Sequence, residues 1–260
     1  MDQTNLTVEV QNHTAWITIN RPSKLNSITV DVLNRIRETL LQYHNDSTVW
    51  SMVITGSGER AFCSGVDLGP VDANNSIFDS KGAIKTLGDL FKDMWTYPKP
   101  IIAMVRGFAL AGGFGLACAC DIVICSSDAV FGAPEINVGL WPYVISVPLL
   151  RSIPARVLLD LMMTGRNIDA SEALRLNLVN TVVEGDDLEA TVREKLSVLH
   201  SKSTAALGLG KQSFYHSLDL SSEASLDYLA NQLEQALSLE DFDEGRAAFA
   251  QRRDPVWRNR

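Results

Sequence analysis

The chain has 260 residues, 46% of them hydrophobic, and a net charge of −8 from 23 basic and 31 acidic side chains. That length and apolar content suit one large domain, or one domain with a helical appendage. The acidic balance argues against nucleic acid as a partner, since phosphate binding demands a basic face, and no apolar run reaches the ~20 residues of a membrane span.

The opening MDQTNLTVEV is polar and reads as a strand rather than a secretory signal. Leu6 to Gln11 and Thr14 to Asn20 alternate apolar and polar residues around Asn12-His13, a hairpin pattern. Val30 to Tyr43 has helical spacing behind a Thr29 N-cap. Trp50 to Thr55 is a strand, and Ala61 to Leu68 a short strand entering a glycine-containing turn. Residues 69–80 are expected to form a mobile loop. Ala83 to Tyr97 is an amphipathic helix stopped by Pro98-Lys99-Pro100. Ile101 to Val105 is a buried strand, Gly112 to Ala119 a buried helix, and Asp121 to Cys125 and Val130 to Gly132 are strands. Beyond residue 145 the pattern is helical near 147–163, 170–176, 187–200, 203–217 and 222–238, with one strand at Leu178 to Val183. Strands and helices alternate first and helices follow, so an α/β core with a C-terminal helical region is expected.

Several motifs lead nowhere. Gly112-Gly113-Phe114-Gly115 lacks the spacing and strand-turn-helix context of a dinucleotide loop. Residues 206–211 lack the spacing of a phosphate loop, and Gln212 follows Lys211 where Ser or Thr is needed. The four histidines are scattered, with none beside a strong nucleophile. The four cysteines at 63, 118, 120 and 125 complete no metal set, and they read as reduced, small, buried residues of a cytoplasmic protein.

One constellation remains. Asn20-Arg21-Pro22 is followed by Asn26. Then come Ala61-Phe62-Cys63-Ser64-Gly65-Val66-Asp67-Leu68 and Ala109-Leu110-Ala111-Gly112-Gly113. Cys120-Asp121, Phe131-Gly132-Ala133-Pro134-Glu135, Gly139 and a terminal Gly245-Arg246-Ala247-Ala248-Phe249 complete the series. In this order and spacing the chain resembles the crotonase (enoyl-CoA hydratase/isomerase) superfamily over essentially its whole length. The resemblance implies an α/β fold, a crotonase-like ββα spiral core at 1–195 with a C-terminal helical trimerisation region at 196–260. It implies a homotrimer or a hexamer made of two trimers, and an acyl-CoA thioester as substrate. No separate cofactor is implied, because coenzyme A is part of that substrate.

By motif position the resemblance puts an oxyanion hole on the backbone N–H groups of Val66 and Gly112. The physical logic agrees: charge that develops on a thioester oxygen is met by fixed donors that need no reorganisation, and glycine lets backbone come close. Hydratases of this family carry two glutamates, one in the Pro-Glu segment and one three residues after the oxyanion glycine. Glu135 is the first; the second position is Gly115, without a side chain. One carboxylate can take a proton from C2 and return it at C4. The expectation is therefore an enoyl-CoA isomerase with Glu135 as its single acid/base. Enoyl-CoA hydratase is the alternative, and a non-catalytic acyl-CoA-binding protein the alternative of another class. Burial should raise the Glu135 pKa. Gly113, Gly115 and Trp141 are expected to line the acyl pocket. Lys24, Ala61, Cys63, Leu68 and Lys211 are expected to contact CoA, the lysines through its phosphates.

Overall fold

The computed structural model describes residues 4–67 and 77–259, with side chains in the segment after the gap described from Gly82 onward. Leu68 and residues 69–76 of the expected loop lie outside the described residues. In chain order the strands are β1 (Leu6–Gln11), β2 (Thr14–Ile19), β3 (Ser51–Gly56), β4 (Ala61–Cys63), β5 (Ile101–Val105), β6 (Phe108–Leu110), β7 (Ile122–Ser126), β8 (Val130–Gly132), β9 (Asn167–Asp169) and β10 (Thr181–Val183). The helices are α1 (Val30–Gln42), α2 (Ile77–Thr96), α3 (Gly112–Ala119), α4 (Ser146–Leu150), α5 (Ala155–Thr164), α6 (Ala170–Arg175), α7 (Leu188–His200), α8 (Thr204–Ser217), α9 (Ser222–Leu237) and α10 (Glu240–Gln251).

Two sheets divide the strands. The larger runs β1-β2-β3-β5-β7-β10, and the smaller β4-β6-β8-β9. Each repeat of the chain gives one strand to each sheet and then a helix: β3-β4-α2, then β5-β6-α3. This is the ββα spiral. Pairing is parallel except for the β1–β2 hairpin and the β8–β9 edge. The hairpin forms because Asn12 and His13 both take positive φ (47° and 63°), the conformation a two-residue turn of matching twist requires.

Period-two alternation explains how the large sheet is covered on both sides. Ala15, Ile17, Met52, Ile54, Ile101, Ala103, Val123 and Cys125 enter the main core with α1, α2 and α3. The intervening Trp16, Val53, Ile102 and Ile124 face the other way, where Leu188, Val192 and Leu196 of α7 cover them. The division expected at residue 195 thus falls inside α7, a helix whose apolar face belongs to the sheet.

Other boundaries shift for local reasons. Thr29 caps α1 as expected, its hydroxyl accepting from Val32 N–H at 3.3 Å. Helix α2 begins at Ile77, inside the stretch expected as a loop. The helix expected over 147–163 is two helices, because Pro154 supplies no N–H and disfavours helical backbone at Ile153. Strands β6 and β9, three residues each, are too short to show periodicity.

Candidate active site

The site grows from three chain segments brought edge to edge. The first is Leu25–Ile28, whose Leu25 and Asn26 adopt left-handed backbone (φ 50° and 53°). Ser64 N–H donates to Leu25 O (3.0 Å), Ile28 N–H to Gly65 O (2.8 Å) and Asp67 N–H to Ile28 O (2.8 Å). In that parallel bridge, with Val66 opposite Ile28, the N–H of Val66 itself points away from Ile28 and toward α3.

Two polar residues lock this arrangement. Asn26 is 1% exposed; its Oδ1 accepts from Arg21 N–H (3.0 Å) and its Nδ2 donates to Ser57 O (2.9 Å) and Ala61 O (2.6 Å). The Arg21 guanidinium donates to Ser27 O (2.6 Å) and pairs with Asp67 at 2.8 Å. The Asn-Arg-Pro motif and the 61–68 motif are thus two halves of one clamp. Asp67 is occupied in it, which leaves Glu135 as the acid/base candidate.

The second segment is the turn from β6 into α3. Ala111 N–H donates to Gly132 O (2.9 Å), and Gly115 N–H to Ala111 O (3.1 Å) begins the helix. The N–H groups of Gly112 and Gly113 therefore have no partner within the helix and carry its positive dipole end. Ala111 holds φ 49°, ψ −124°, a costly backbone for a residue with a side chain. The contact with Val66 is tight. A Cβ added to Gly112 would lie 3.4 Å from the Val66 nitrogen, and one added to Gly65 (φ 104°) would lie 3.1 Å from the Gly112 nitrogen. At Gly113 the carbonyl oxygen of Cys63 stands 2.1 Å from the position of a Cβ. Glycine is needed here because the backbones touch.

The third segment follows β8, which pairs with β6. Pro134–Val138 is a short 3-10 helix closed by Gly139 at φ 77°, and Leu140 N–H returns to Glu135 O at 3.0 Å. Gly165, closing α5, packs against Ile136 and Asn137 and supports this turn. Glu135 stands on it with its Oε2 buried and without a hydrogen-bond partner. Burial raises its pKa above the ordinary glutamate value. Because Ala111 bonds to Gly132, the backbone that ends at Gly112 and the backbone that leads to Glu135 run side by side.

The position of Gly115 is closed. A Cβ there would meet Ile145 Cγ2 at 2.6 Å, Ile145 Cβ at 2.8 Å and Phe91 Cζ at 3.1 Å. Ile145 and Phe91 are buried. One turn earlier, Leu87 Cδ2 lies 3.3 Å from the corresponding position on Gly112. Trp141 is half-buried and packs on the main core.

The residues expected to contact CoA divide. Lys24 is exposed on the 3-10 turn Pro22–Lys24, and its carbonyl lies 3.5 Å from the Ser64 hydroxyl. Ala61 and Cys63 are buried beside it; the Ala61 carbonyl is taken by Asn26, and burial pushes the Cys63 thiol up to about 12. Lys211 is elsewhere. Its Nζ pairs with Asp121 at 2.8 Å and donates to Lys99 O at 3.0 Å, with the side chain only 9% exposed. Asp121 also accepts from Ile101 N–H (2.7 Å) and Tyr215 Oη–H (3.0 Å). The phosphate role expected for Lys211 is withdrawn: its charge is spent inside the protein, docking α8 on the spiral. The motif order marks Arg21 and Asn26 without giving them a role, and nothing marks Phe91 or Ile145; the partners that define all four (Asp67, Ser57, Ala61 and Gly115) lie 24 to 46 residues away.

A family profile described as enoyl-CoA hydratase/isomerase matches residues 9–260. The chain is 34% identical over 255 residues to a short-chain-enoyl-CoA hydratase of Clostridium acetobutylicum, covering 97% of each sequence. It is 34% identical over 254 residues to a carnitinyl-CoA dehydratase of Citrobacter koseri, covering 94% of each. Among solved structures it resembles an enoyl-CoA hydratase from Bacillus anthracis, with TM-score 0.93, 28% identity, and 99% and 100% of the two chains covered. Human enoyl-CoA hydratase domain-containing protein 3 is similar as well, with TM-score 0.92, 28% identity, and 97% and 100% covered. The chain belongs to the enoyl-CoA hydratase/isomerase family and has the crotonase fold.

Proposed function

We propose that this protein is an enzyme that hydrates 2-enoyl-CoA thioesters, or dehydrates the corresponding 3-hydroxyacyl-CoA, with Glu135 as its acid/base. The relatives named above, hydratases and a dehydratase, support that direction over the isomerisation expected from sequence. The observation that carries the reading is the buried, unpartnered Glu135 carboxyl oxygen on the turn that follows β8, the strand paired with the one that leads into Gly112. In this reading the thioester oxygen sits between those two N–H groups. The Glu135 carboxylate takes a proton from water as its oxygen bonds to C3, and the C2–C3 π electrons move onto the thioester oxygen. The protonated Glu135 then delivers that proton to C2, and the carbonyl re-forms. Removing one such backbone donor typically costs about 10²–10³ in rate.

A double-bond shift from C3 to C2 is the second reading, favoured by one observation. Gly115 is backed by Ile145 and Phe91, so α3 offers no carboxylate and no room for one. Glu135 alone would then take a proton from C2 and return it at C4. CoA would lie along the clamp, with Lys24 at a phosphate and the backbone of Ala61 and Cys63 beside it. Helix α9 buries no residue, and its Leu226, Leu229, Leu233 and Leu237 are exposed. That apolar stripe supports assembly through the C-terminal helices as a trimer or pair of trimers. Cys63, Cys118, Cys120 and Cys125 are free, which supports a reducing compartment, the cytoplasm in this reading. No described helix is long and apolar enough to cross a membrane.

The test follows the conjugated enoyl-thioester absorbance with a trans-2-enoyl-CoA and a trans-3-enoyl-CoA, using Glu135→Gln as control. A falling signal with the 2-enoyl substrate that the control lacks supports hydration. A rising signal with the 3-enoyl substrate alone selects isomerisation. No change with either, despite tight binding of the esters, refutes both and leaves a binding protein.

A further inference from the structure

We propose that the cavity between the β1–β2 turn and helix α7 is a second binding site, separate from the candidate active site, and that it takes a planar aromatic carboxylate. The cavity measures about 360 Å³, within the range of small-molecule sites. Thr14, which lines it, is paired with Ser51 at the start of β2 and β3. The clamp of the candidate active site stands at the other end of these strands, where Asn26 bonds to Ser57 O. The length of β3 (Ser51–Gly56) puts ~17 Å between the two.

Folding brings together here aromatic rings that the sequence scatters. His13 stacks on Trp50, with ring centroids 3.8 Å apart and planes 4° from parallel. His200 stands edge-on to Trp50 at 5.4 Å. Both imidazoles are held in place: His13 Nδ1 donates to Thr48 O (2.9 Å), and His200 Nε2 meets Ser51 Oγ at 2.8 Å, which bonds in turn to Thr14 Oγ1 at 2.9 Å. His13 is exposed, so its ring offers a fixed platform on which a second flat ring can stack. Trp16 and Leu196 are the buried apolar residues of the lining. Trp16 is 8% exposed, and its indole Nε1–H is buried with no acceptor, a cost that an acceptor on a ligand relieves.

The charged group is Arg193, whose guanidinium lies over the Trp16 ring at 4.7 Å. Glu189 accepts from its Nε (2.8 Å) and Gln11 from its Nη2 (3.1 Å), while Nη1 has no bond among the described residues. The ionisable groups among the described residues of the lining are Arg193, His13 and His200, with no aspartate or glutamate, in a chain whose net charge is −8. Such a basic, aromatic concavity favours a flat anion. Its ring packs on His13, and its carboxylate takes the Nη1 donors of Arg193.

The experiment titrates 2-naphthoate, and its uncharged counterpart 2-naphthamide, into the wild type, Arg193→Gln and Ser197→Trp. Binding is read by calorimetry and by the indole N–H resonances of nitrogen-15-labelled protein, with Trp16→Phe identifying the Trp16 signal. Arg193 is half-buried and Ser197 exposed, and melting temperatures confirm that both variants fold. 2-Naphthoate is expected to bind the wild type and to move the Trp16 resonance. Binding weakens by ~10-fold or more for the amide and for Arg193→Gln, as loss of a hydrogen bond to a charged group implies, and disappears in Ser197→Trp, whose indole fills the cavity. Absence of 2-naphthoate binding to the wild type would overturn the proposal. So would equal binding of the amide, or affinity unchanged in both folded variants, the result that attachment elsewhere on the protein gives.

Discussion

Replacing Lys211 by Met separates two roles that the sequence alone leaves confounded. The Lys211–Asp121 pair is buried, with side chains 9% and 17% exposed. Burial acts most strongly on both partners, lowering the lysine pKa and raising that of the aspartate. The pair is therefore a poor source of net stability, yet breaking it is expensive, because Asp121 would keep its charge inside the protein with only Ile101 N–H and Tyr215 Oη–H as donors. Breaking a buried pair from one side costs ~3–5 kcal/mol. In a chain of this size that corresponds to a melting temperature lower by roughly 6–15 °C at fixed protein concentration. Lys211→Met/Asp121→Asn should recover most of the loss, since the amide oxygen still accepts while the orphaned charge is gone. The KM for an acyl-CoA ester should stay within twofold of wild type in every variant that remains folded. The refuting result is an unchanged melting temperature with KM raised tenfold or more; Lys211 would then bind phosphate, and the internal ion pair would carry no weight.

Four further outcomes are expected. Asn26→Ala strands Arg21 N–H, Ser57 O and Ala61 O and imposes positive φ on alanine, so chemical denaturation should show a loss of ~3 kcal/mol, with kcat/KM falling as the Val66 strand loosens. Glu135→Gln should abolish turnover yet stabilise the fold at neutral pH. The carboxyl's folded pKa is raised, so its burial penalty is absent below the ordinary glutamate pKa of ~4.3 and grows as pH rises through the folded value; a stability gain persisting below pH ~4 contradicts this. The acid limb of the wild-type kcat/KM profile should lie above the ordinary glutamate range for the same reason. Gly113→Ala drives a methyl to within 2.1 Å of the Cys63 carbonyl oxygen, a backbone atom that cannot yield, and should cost ~2 kcal/mol or more with loss of activity; a folded, active Gly113→Ala would mean the α3 turn is far looser than described.

Local patterns and tertiary contacts contributed different things. Strand alternation, the Thr29 cap, the proline stops and the glycine clusters are properties of neighbouring residues, and they were enough for the α/β order and for the glycine positions at which α3 meets the segment from Cys63 to Val66. The motif order was enough for the family, and Glu135 stands half-buried on its turn with one carboxyl oxygen buried. What lay beyond reach was anything set by residues distant in sequence. Lys211 reads as an exposed cation until Asp121 is found beside it, 90 positions earlier. Asn26 and Arg21 look like loop residues until three backbone groups and Asp67 close on them. Gly115 looks like an opening in the sequence and is a sealed wall in the fold, because Ile145 and Phe91, from two other helical segments, occupy the space its missing side chain leaves. The sequence by itself determined which elements form and which backbone must come close, since those depend on short-range periodicity and on glycine. Only the tertiary structure decided which charges are available and which spaces are filled, since burial and packing depend on residues that meet only when the chain has folded.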